Sequence, residues 1–296
     1  MCDSSNSSST AGFDTLVFSG GGVKGLAYSG ALLRLIERGS VDLACVHTYV
    51  GISIGSMFAF LLAIGYTPEE LYLQTFAYDL YDLVDVNLTS VLFQWGITST
   101  QKLEQFLQKM LVAKTVSHRR NITFGQLREN RGVTLRVFTT NLNTNELCTF
   151  DADNTPSVSI VKAVSMSMSL PFLFAPTLFR GDLHVDGALL ESFPFRELQQ
   201  NPRALGMRVC WDQPAADLSS ADKYISRVVY CGLNAKTAHQ ISTLDEETRS
   251  RLIMVEADVS TVKFQLEKEH KKAILDAGKC SVDSWLDGKK KKSTEM

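Results

Sequence analysis

The sequence predicts an α/β fold in which a mostly parallel central sheet carries helices on its faces. Two observations lead to it. Short β-prone runs alternate with helical runs in the N-terminal part, each change punctuated by glycine, and that order implies right-handed crossovers between parallel strands. Residues 43–67 contain no Asp, Glu, Lys or Arg, the profile of a strand buried on both faces running into a buried helix. The stretch is long enough to cross a bilayer, but glycines and the polar His47, Thr48, Ser53 and Ser56 interrupt it, so the core reading is preferred.

The first expected strand, residues 13–19, is broken by Gly20, Gly21 and Gly22, after which residues 25–38 place Leu26, Leu32, Leu33, Leu35 and Ile36 near helical spacing. Gly39 ends that helix. A second strand is expected at 45–50 and a second helix at 56–64, stopped by Gly65. Thr67-Pro68-Glu69-Glu70 reads as a capped helix start and residues 100–111 as a further helix, with irregular apolar-rich sequence at 82–98 between them. Residues 134–140 and 146–150 alternate as strands about an Asn-rich turn. Residues 159–170 form a helix rich in small residues and Met that stops at Pro171, and short strands near 176–179 and 183–185 lead into Asp186-Gly187-Ala188. Core strands at 204–211 and 251–257 enclose a helix at about 222–242, and residues 264–286 form a terminal helix expected to break near Gly278. The expected division is a flexible segment 1–12, one domain 13–286 and a basic flexible tail 287–296.

With 296 residues, 45% of them hydrophobic, the chain can bury a sizeable core. A formal net charge of −2 gives no overall basic field that would attract nucleic acid. The six cysteines form no C-x-x-C pair and no short Cys/His spacing, so reduced thiols and no metal site are expected. The Ser-rich residues 1–12 lack the basic start and apolar stretch of a secretory signal, so the expected compartment is intracellular, in the cytoplasm, with peripheral membrane contact allowed.

The chemistry lies in two glycine motifs. Gly51-Ile52-Ser53-Ile54-Gly55 follows a strand and precedes a helix, the setting in which G-x-S-x-G holds a serine on a tight turn with its hydroxyl exposed. Gly51 and Gly55 are needed because neighbouring backbone crowds that turn. Gly20, Gly21, Gly22, Val23, Lys24 and Gly25 open a helix, where bare N–H groups and the helix dipole stabilise negative charge. Such donors suit the oxyanion of acyl transfer, where one donor contributes roughly 2.7–4 kcal/mol. Lys24 is also a candidate to offset charge on a substrate such as a phospholipid phosphate, or else a solvated charge.

A serine nucleophile needs a base. His47 falls in a core strand, His118 in a basic turn, His184 two positions before Asp186, and His239 and His270 on polar helices. Asp186 stands at a strand end ahead of Gly187 and Ala188, where a parallel sheet presents reactive groups, and a carboxylate within about 2.6–3.2 Å accepts the proton directly. A free Asp has a pKa near 3.9, so burial must raise its basicity.

Ser19 to Gly25, Gly51 to Gly55 and Asp186-Gly187-Ala188, in this order and spacing, resemble the patatin-like phospholipases. The small-residue helix ending at Ser169-Leu170-Pro171-Phe172 and the terminal helix are further points of likeness, and the resemblance covers roughly residues 13–286. It implies a three-layer α/β/α fold, Ser53 as nucleophile, Asp186 as base and the residues 20–25 turn as the oxyanion site. It further implies hydrolysis of lipid acyl esters through an acyl-serine, with membrane phospholipid or another acyl lipid as substrate and no cofactor.

Three other readings compete. Gly20-x-Gly22-x-x-Gly25 after a strand also fits a dinucleotide fingerprint with Asp42 on the ribose, though it leaves Ser53 and Asp186 without a task. A Ser-His-Asp hydrolase would use Ser53, Asp186 and then His239 or His270. A lipid-binding scaffold would keep the fold without turnover, and either class could use residues 92–95, residues 172–174 or Lys289 to Lys292 to touch a membrane.

Overall fold

The computed structural model describes residues 12–78, 80–83, 95–115, 119–210, 221–257 and 266–295. Strand β1 (Thr15–Phe18) runs through a one-turn 3₁₀ helix (Gly22–Leu26) into α1 (Ala27–Glu37), then β2 (Thr48–Ile52), α2 (Ile54–Ala63) and α3 (Pro68–Ala77). Next come β3 (Gly96–Thr98), α4 (Gln101–Lys114), α5 (Phe124–Arg131), β4 (Thr134–Asn141), β5 (Glu146–Phe150) and α6 (Ile160–Ser167). The strands β6 (Phe172–Phe174), β7 (Thr177–Phe179) and β8 (Asp182–Asp186) follow, then α7 (Phe195–Gln200), β9 (Ala204–Val209), α8 (Ala221–Ser242), α9 (Glu246–Ser250), β10 (Leu252–Val255) and α10 (Lys268–Glu295).

The main sheet runs β10-β9-β1-β2-β4-β8-β7, with β5 also paired to β4. The five strands from β10 to β4 are parallel, β5 and β8 each pair antiparallel with β4, and β7 pairs antiparallel with β8. Alternate side chains enter separate cores. Leu16, Phe18, Val137, Met207 and Ile253 join a large cluster with α1, α2 and α10, whereas Val17, Val50, Ile52 and Leu252 meet Phe193, Phe195 and Leu198 on the opposite face. All six residues of β9 are buried, as a strand covered on both sides requires. This is the three-layer arrangement expected from the sequence.

One register relation positions the functional groups. Strand β2 pairs with β4 up to Ile52↔Phe138, and β8 pairs with β4 from Asn141↔His184 to Thr139↔Asp186. Strand β5 pairs with Val137 to Asn141 and so occupies the other edge of β4. Strands β2 and β8 therefore share one edge of β4 and run toward each other. Their last residues, Ile52 and Asp186, oppose consecutive residues of β4.

Several local expectations need correction. Residues 43–45 form a 3₁₀ turn capped by the Asp42 carboxylate, and the strand begins only at Thr48. Helix α2 starts at Ile54, directly after Ser53. The charge-free segment is the buried core of the sheet and α2, and among the described residues no helix is long and apolar enough to cross a membrane. Helix α5, with a Thr123/Gln126 capping box, and the small β3–β6 ladder went unforeseen because the first is polar and the second only three residues per strand. Cys45, Cys148, Cys210, Cys231 and Cys280 form no disulfide.

Helix α10 passes through Gly278 without a break. Gly278 is a contact residue: a Cβ there would lie 2.0 Å from the Ala27 carbonyl oxygen, and one on Gly30 would lie 1.9 Å from that of Leu275. The two glycines let α1 and α10 touch backbone to backbone, and Asp283 ties the crossing to Arg34 and Arg38 at 2.7 and 2.8 Å. The helix continues through the residues expected as a tail, with the Lys289 ammonium 4.1 Å from the Trp285 ring centre.

Gly278→Ala is therefore expected to destabilise the protein by about 1–3 kcal/mol, although alanine gains about 1 kcal/mol of helix propensity. Gly288→Ala, on the same helix with open space around it, is expected to be neutral or stabilising. Urea unfolding midpoints of the two variants check this contrast, which disappears if Gly278 is only a tolerated helix position.

Candidate active site

Ser53 links β2 to α2 at φ 56° and ψ −131°, a strained conformation for a residue with a side chain. The crowding around it explains the flanking glycines. A Cβ on Gly51 would fall 2.2 Å from the Gly55 carbonyl oxygen, and one on Gly55 would fall 2.4 Å from that of Ser19. The Ser53 N–H donates to the Ser167 hydroxyl at 2.9 Å, and its carbonyl accepts from the Ser56 hydroxyl at 2.6 Å. The strained turn is thus held from both sides.

Asp186 ends β8 and is 1% exposed. Its N–H donates to the Ser169 carbonyl at 2.9 Å, and its carbonyl accepts from the Thr140 hydroxyl at 3.0 Å. The carboxylate accepts from the Ser53 hydroxyl at 2.5 Å and from the Ala188 N–H at 2.8 Å. Burial pushes the Asp186 carboxyl up to about 7, and the two hydrogen bonds only partly oppose that. A carboxylate with that basicity, in contact with a half-buried hydroxyl, can accept its proton near neutral pH.

The glycine turn lies against this pair. A Cβ on Gly20 would approach those of Ser53 and Ala188 to 3.2 Å, so the chain passes as close as a bare backbone allows. Gly187 is required for a similar reason, 2.5 Å from the Phe138 carbonyl oxygen at its Cβ position. The Gly20 N–H is engaged by the Ser192 carbonyl at 2.9 Å, so it is not one of the open donors of the expected 20–25 set. Gly21 and Gly22 carry the turn into the 3₁₀ helix through Val23, Lys24 and Gly25.

Lys24 is 3% exposed, and its ammonium donates to the Cys210 carbonyl at 3.3 Å, so it is not the solvated charge weighed above. His47 is exposed ahead of β2 rather than inside it. His184 is buried against Phe150 and Phe179 and bonds the Thr139 hydroxyl at 2.9 Å, and burial lowers its pKa. His239 and His270 are exposed on α8 and α10, and His118 lies outside the described residues. No hydrogen bond given to a described histidine reaches Ser53 or Asp186. Asp42 caps its 3₁₀ turn through Ala44 N–H at 2.9 Å, a structural task in place of the ribose contact considered above.

Residues 92–94 lie outside the described residues, while Trp95, just before β3, is 65% exposed, Phe172 on β6 is 54% exposed and Phe174 is buried. Among the described residues no three His, Cys, Asp or Glu side chains gather as a metal ligand set. Ser167, Ser169 and Ser192 were not foreseen. The alternating Ser-Met-Ser-Met-Ser of residues 165–169 was the available signal for the first two, since small polar residues in a buried helix imply a partner.

Comparison with known proteins gives the family. A model of the patatin-like phospholipases matches residues 16–198. "Uncharacterized protein R571" of Acanthamoeba polyphaga mimivirus is 31% identical over 278 residues, covering 90% of this chain and 91% of that protein. "Probable lipid hydrolase 463L" of Invertebrate iridescent virus 6 is 30% identical over 187 residues, 62% of each chain. Among solved structures, VipD from Legionella pneumophila superimposes with a TM-score of 0.65 at 18% identity, over 93% of this chain and 67% of VipD. ExoU of Pseudomonas aeruginosa, solved with SpcU, superimposes with a TM-score of 0.52 at 20% identity, over 93% of this chain and 52% of that one. The two structural likenesses establish the fold, and the family model extends from β1 to α7, through both glycine motifs and Asp186. The chain belongs to the patatin-like phospholipase family.

Proposed function

We propose that the protein hydrolyses carboxylic esters of acyl lipids, with Ser53 as nucleophile and Asp186 as base. The observation that carries this reading is the 2.5 Å contact from the Ser53 hydroxyl to the Asp186 carboxylate, buried enough to titrate at about 7. Ser53 Oγ attacks the acyl carbonyl carbon as its proton passes to Asp186, and the carbonyl electrons collect on oxygen. The N–H groups of the glycine turn stabilise that oxyanion. Collapse expels the alcohol, which takes the proton from Asp186 and leaves an acyl-serine. Water then attacks and gives its proton to Asp186, and collapse releases the fatty acid as the departing Ser53 oxygen takes that proton back. The exposed Trp95 and Phe172 support contact with a lipid surface, and the family and the probable lipid hydrolase among its relatives support the substrate class.

A lipid panel and a fluorophosphonate probe test the reading. The unmodified protein should release fatty acid and take the label, while Ser53→Ala should do neither. Turnover by Ser53→Ala at the unmodified rate would sink it. Replacing His239 and His270 together should leave the rate unchanged, since neither exposed ring is assigned a part. A large loss there would point to a Ser-His-Asp arrangement.

Two pH dependences follow from Asp186. The base must be ionised, so kcat/KM should rise with pH through an inflection near 7, read from initial rates on a soluble acyl ester. Stability runs the opposite way. Below about pH 4 the group is protonated whether folded or unfolded. As pH rises toward 7 the unfolded chain loses its proton first, and native stability falls by roughly 4 kcal/mol before levelling. Asp186→Asn should be inactive yet melt higher than the unmodified protein at pH 8, with the gap closing at pH 4. An equal Tm difference at both pH values would contradict the raised pKa.

A further inference from the structure

The turn that would hold the oxyanion is braced from behind by a buried hydroxyl pair. The Ser19 hydroxyl donates to the Gly20 carbonyl at 2.6 Å, accepts from the Val209 N–H at 3.0 Å and meets the Tyr28 hydroxyl at 2.8 Å. The single Tyr28 hydroxyl proton is shared between the Ser19 Oγ and the Ser19 carbonyl, the latter at 3.1 Å. Both side chains are fully buried, and the Tyr28 ring is wedged edge-on between Phe18 and Phe58. Burial pushes the Tyr28 hydroxyl well above its usual range, so it stays protonated and remains a donor.

Peptide geometry turns this brace into a functional statement. In a trans peptide the C=O and the following N–H point in opposite directions within one plane. The Ser19–Gly20 peptide is engaged at both ends, its carbonyl by Tyr28 and its N–H by the Ser192 carbonyl. Among the described residues the Gly20–Gly21 peptide is engaged only at its carbonyl, which the Ser19 hydroxyl draws inward. No described hydrogen bond uses the Gly21 N–H. With Gly20 against the Ser53 and Ala188 side chains, the plane that turns the carbonyl inward turns this N–H outward.

Resting on the proposed acyl-hydrolase reading, we infer that Ser19 and Tyr28 are positioning residues that lock the Gly20–Gly21 peptide so that the Gly21 N–H is an oxyanion donor. Without the brace, a glycine peptide is free to rotate and present its carbonyl instead, replacing a donor with a repelling dipole. Neither side chain touches substrate. Their effect is on the stabilisation of charge that develops only during reaction.

Tyr28→Phe keeps the ring packing and removes one hydroxyl, and Ser19→Ala removes the hydroxyl that holds the carbonyl. Each should lower kcat on a soluble acyl ester roughly 10- to 100-fold, somewhat less than outright loss of an oxyanion donor. KM and the pH inflection near 7 should stay put, and fluorophosphonate labelling should slow in proportion. The double variant should be no worse than the weaker single by more than about twofold, because both act through one peptide. A Tyr28→Phe protein that is folded by its melting curve and keeps full kcat overturns the inference, as does a loss confined to KM. If Ser19→Ala fails to fold, Tyr28→Phe alone decides. Ser53→Ala run in parallel separates the two levels: turnover there removes the hydrolase reading itself, whereas an inactive Ser53→Ala beside an unimpaired Tyr28→Phe removes only the brace.

Discussion

The contact between Ser53 and Asp186 exists because two strands of opposite direction share one edge of β4. Strand β2 arrives parallel and stops at the register of Phe138, and β8 arrives antiparallel and stops at that of Thr139. Each chain must turn away at the meeting point, and each does so through a residue carrying a reactive side chain. Separation along the sequence is 133 residues, yet β4 fixes the separation in space. Every other feature of the site elaborates on this meeting of strand ends.

Holding the contact requires backbone crowding that few side chains tolerate. Gly51, Gly55 and Gly187 each sit where a Cβ would strike a carbonyl oxygen at 2.5 Å or less. The strained φ of Ser53 is sustained by Ser167 and Ser56, and the Asp186 backbone by Ser169 and Thr140. The Ser167 hydroxyl of the buried α6 thus serves the turn rather than the core. Burial of the carboxylate is the energetic counterpart: it raises the proton affinity that the proposed base for Ser53 would need, at an expected cost to native stability near neutral pH.

Much of this was legible in the sequence because it is local. The glycine punctuation, the charge-free strand and helix, and the Thr67 capping box name their elements within a few residues. Where local signals misled, a distant partner had changed their meaning. Gly278 reads as a break until α1 brings the Ala27 carbonyl against it, and His47 reads as core until the strand is seen to start one residue later, leaving the ring in solvent. The polar α5 offered too weak an apolar stripe to be noticed, and its capping box was the signal that went unread.

The sequence by itself determined the parallel α/β framework, the serine turn, the glycine turn and which serine and carboxylate are proposed as nucleophile and base, since each is written in contiguous residues whose sterics leave few alternatives. Only the tertiary structure decided that the serine and the carboxylate touch, that the carboxyl is stripped of water, and which backbone amides are already engaged. Those properties depend on sheet register and on burial. Both are set by residues far apart in the chain, and neither has a local signature.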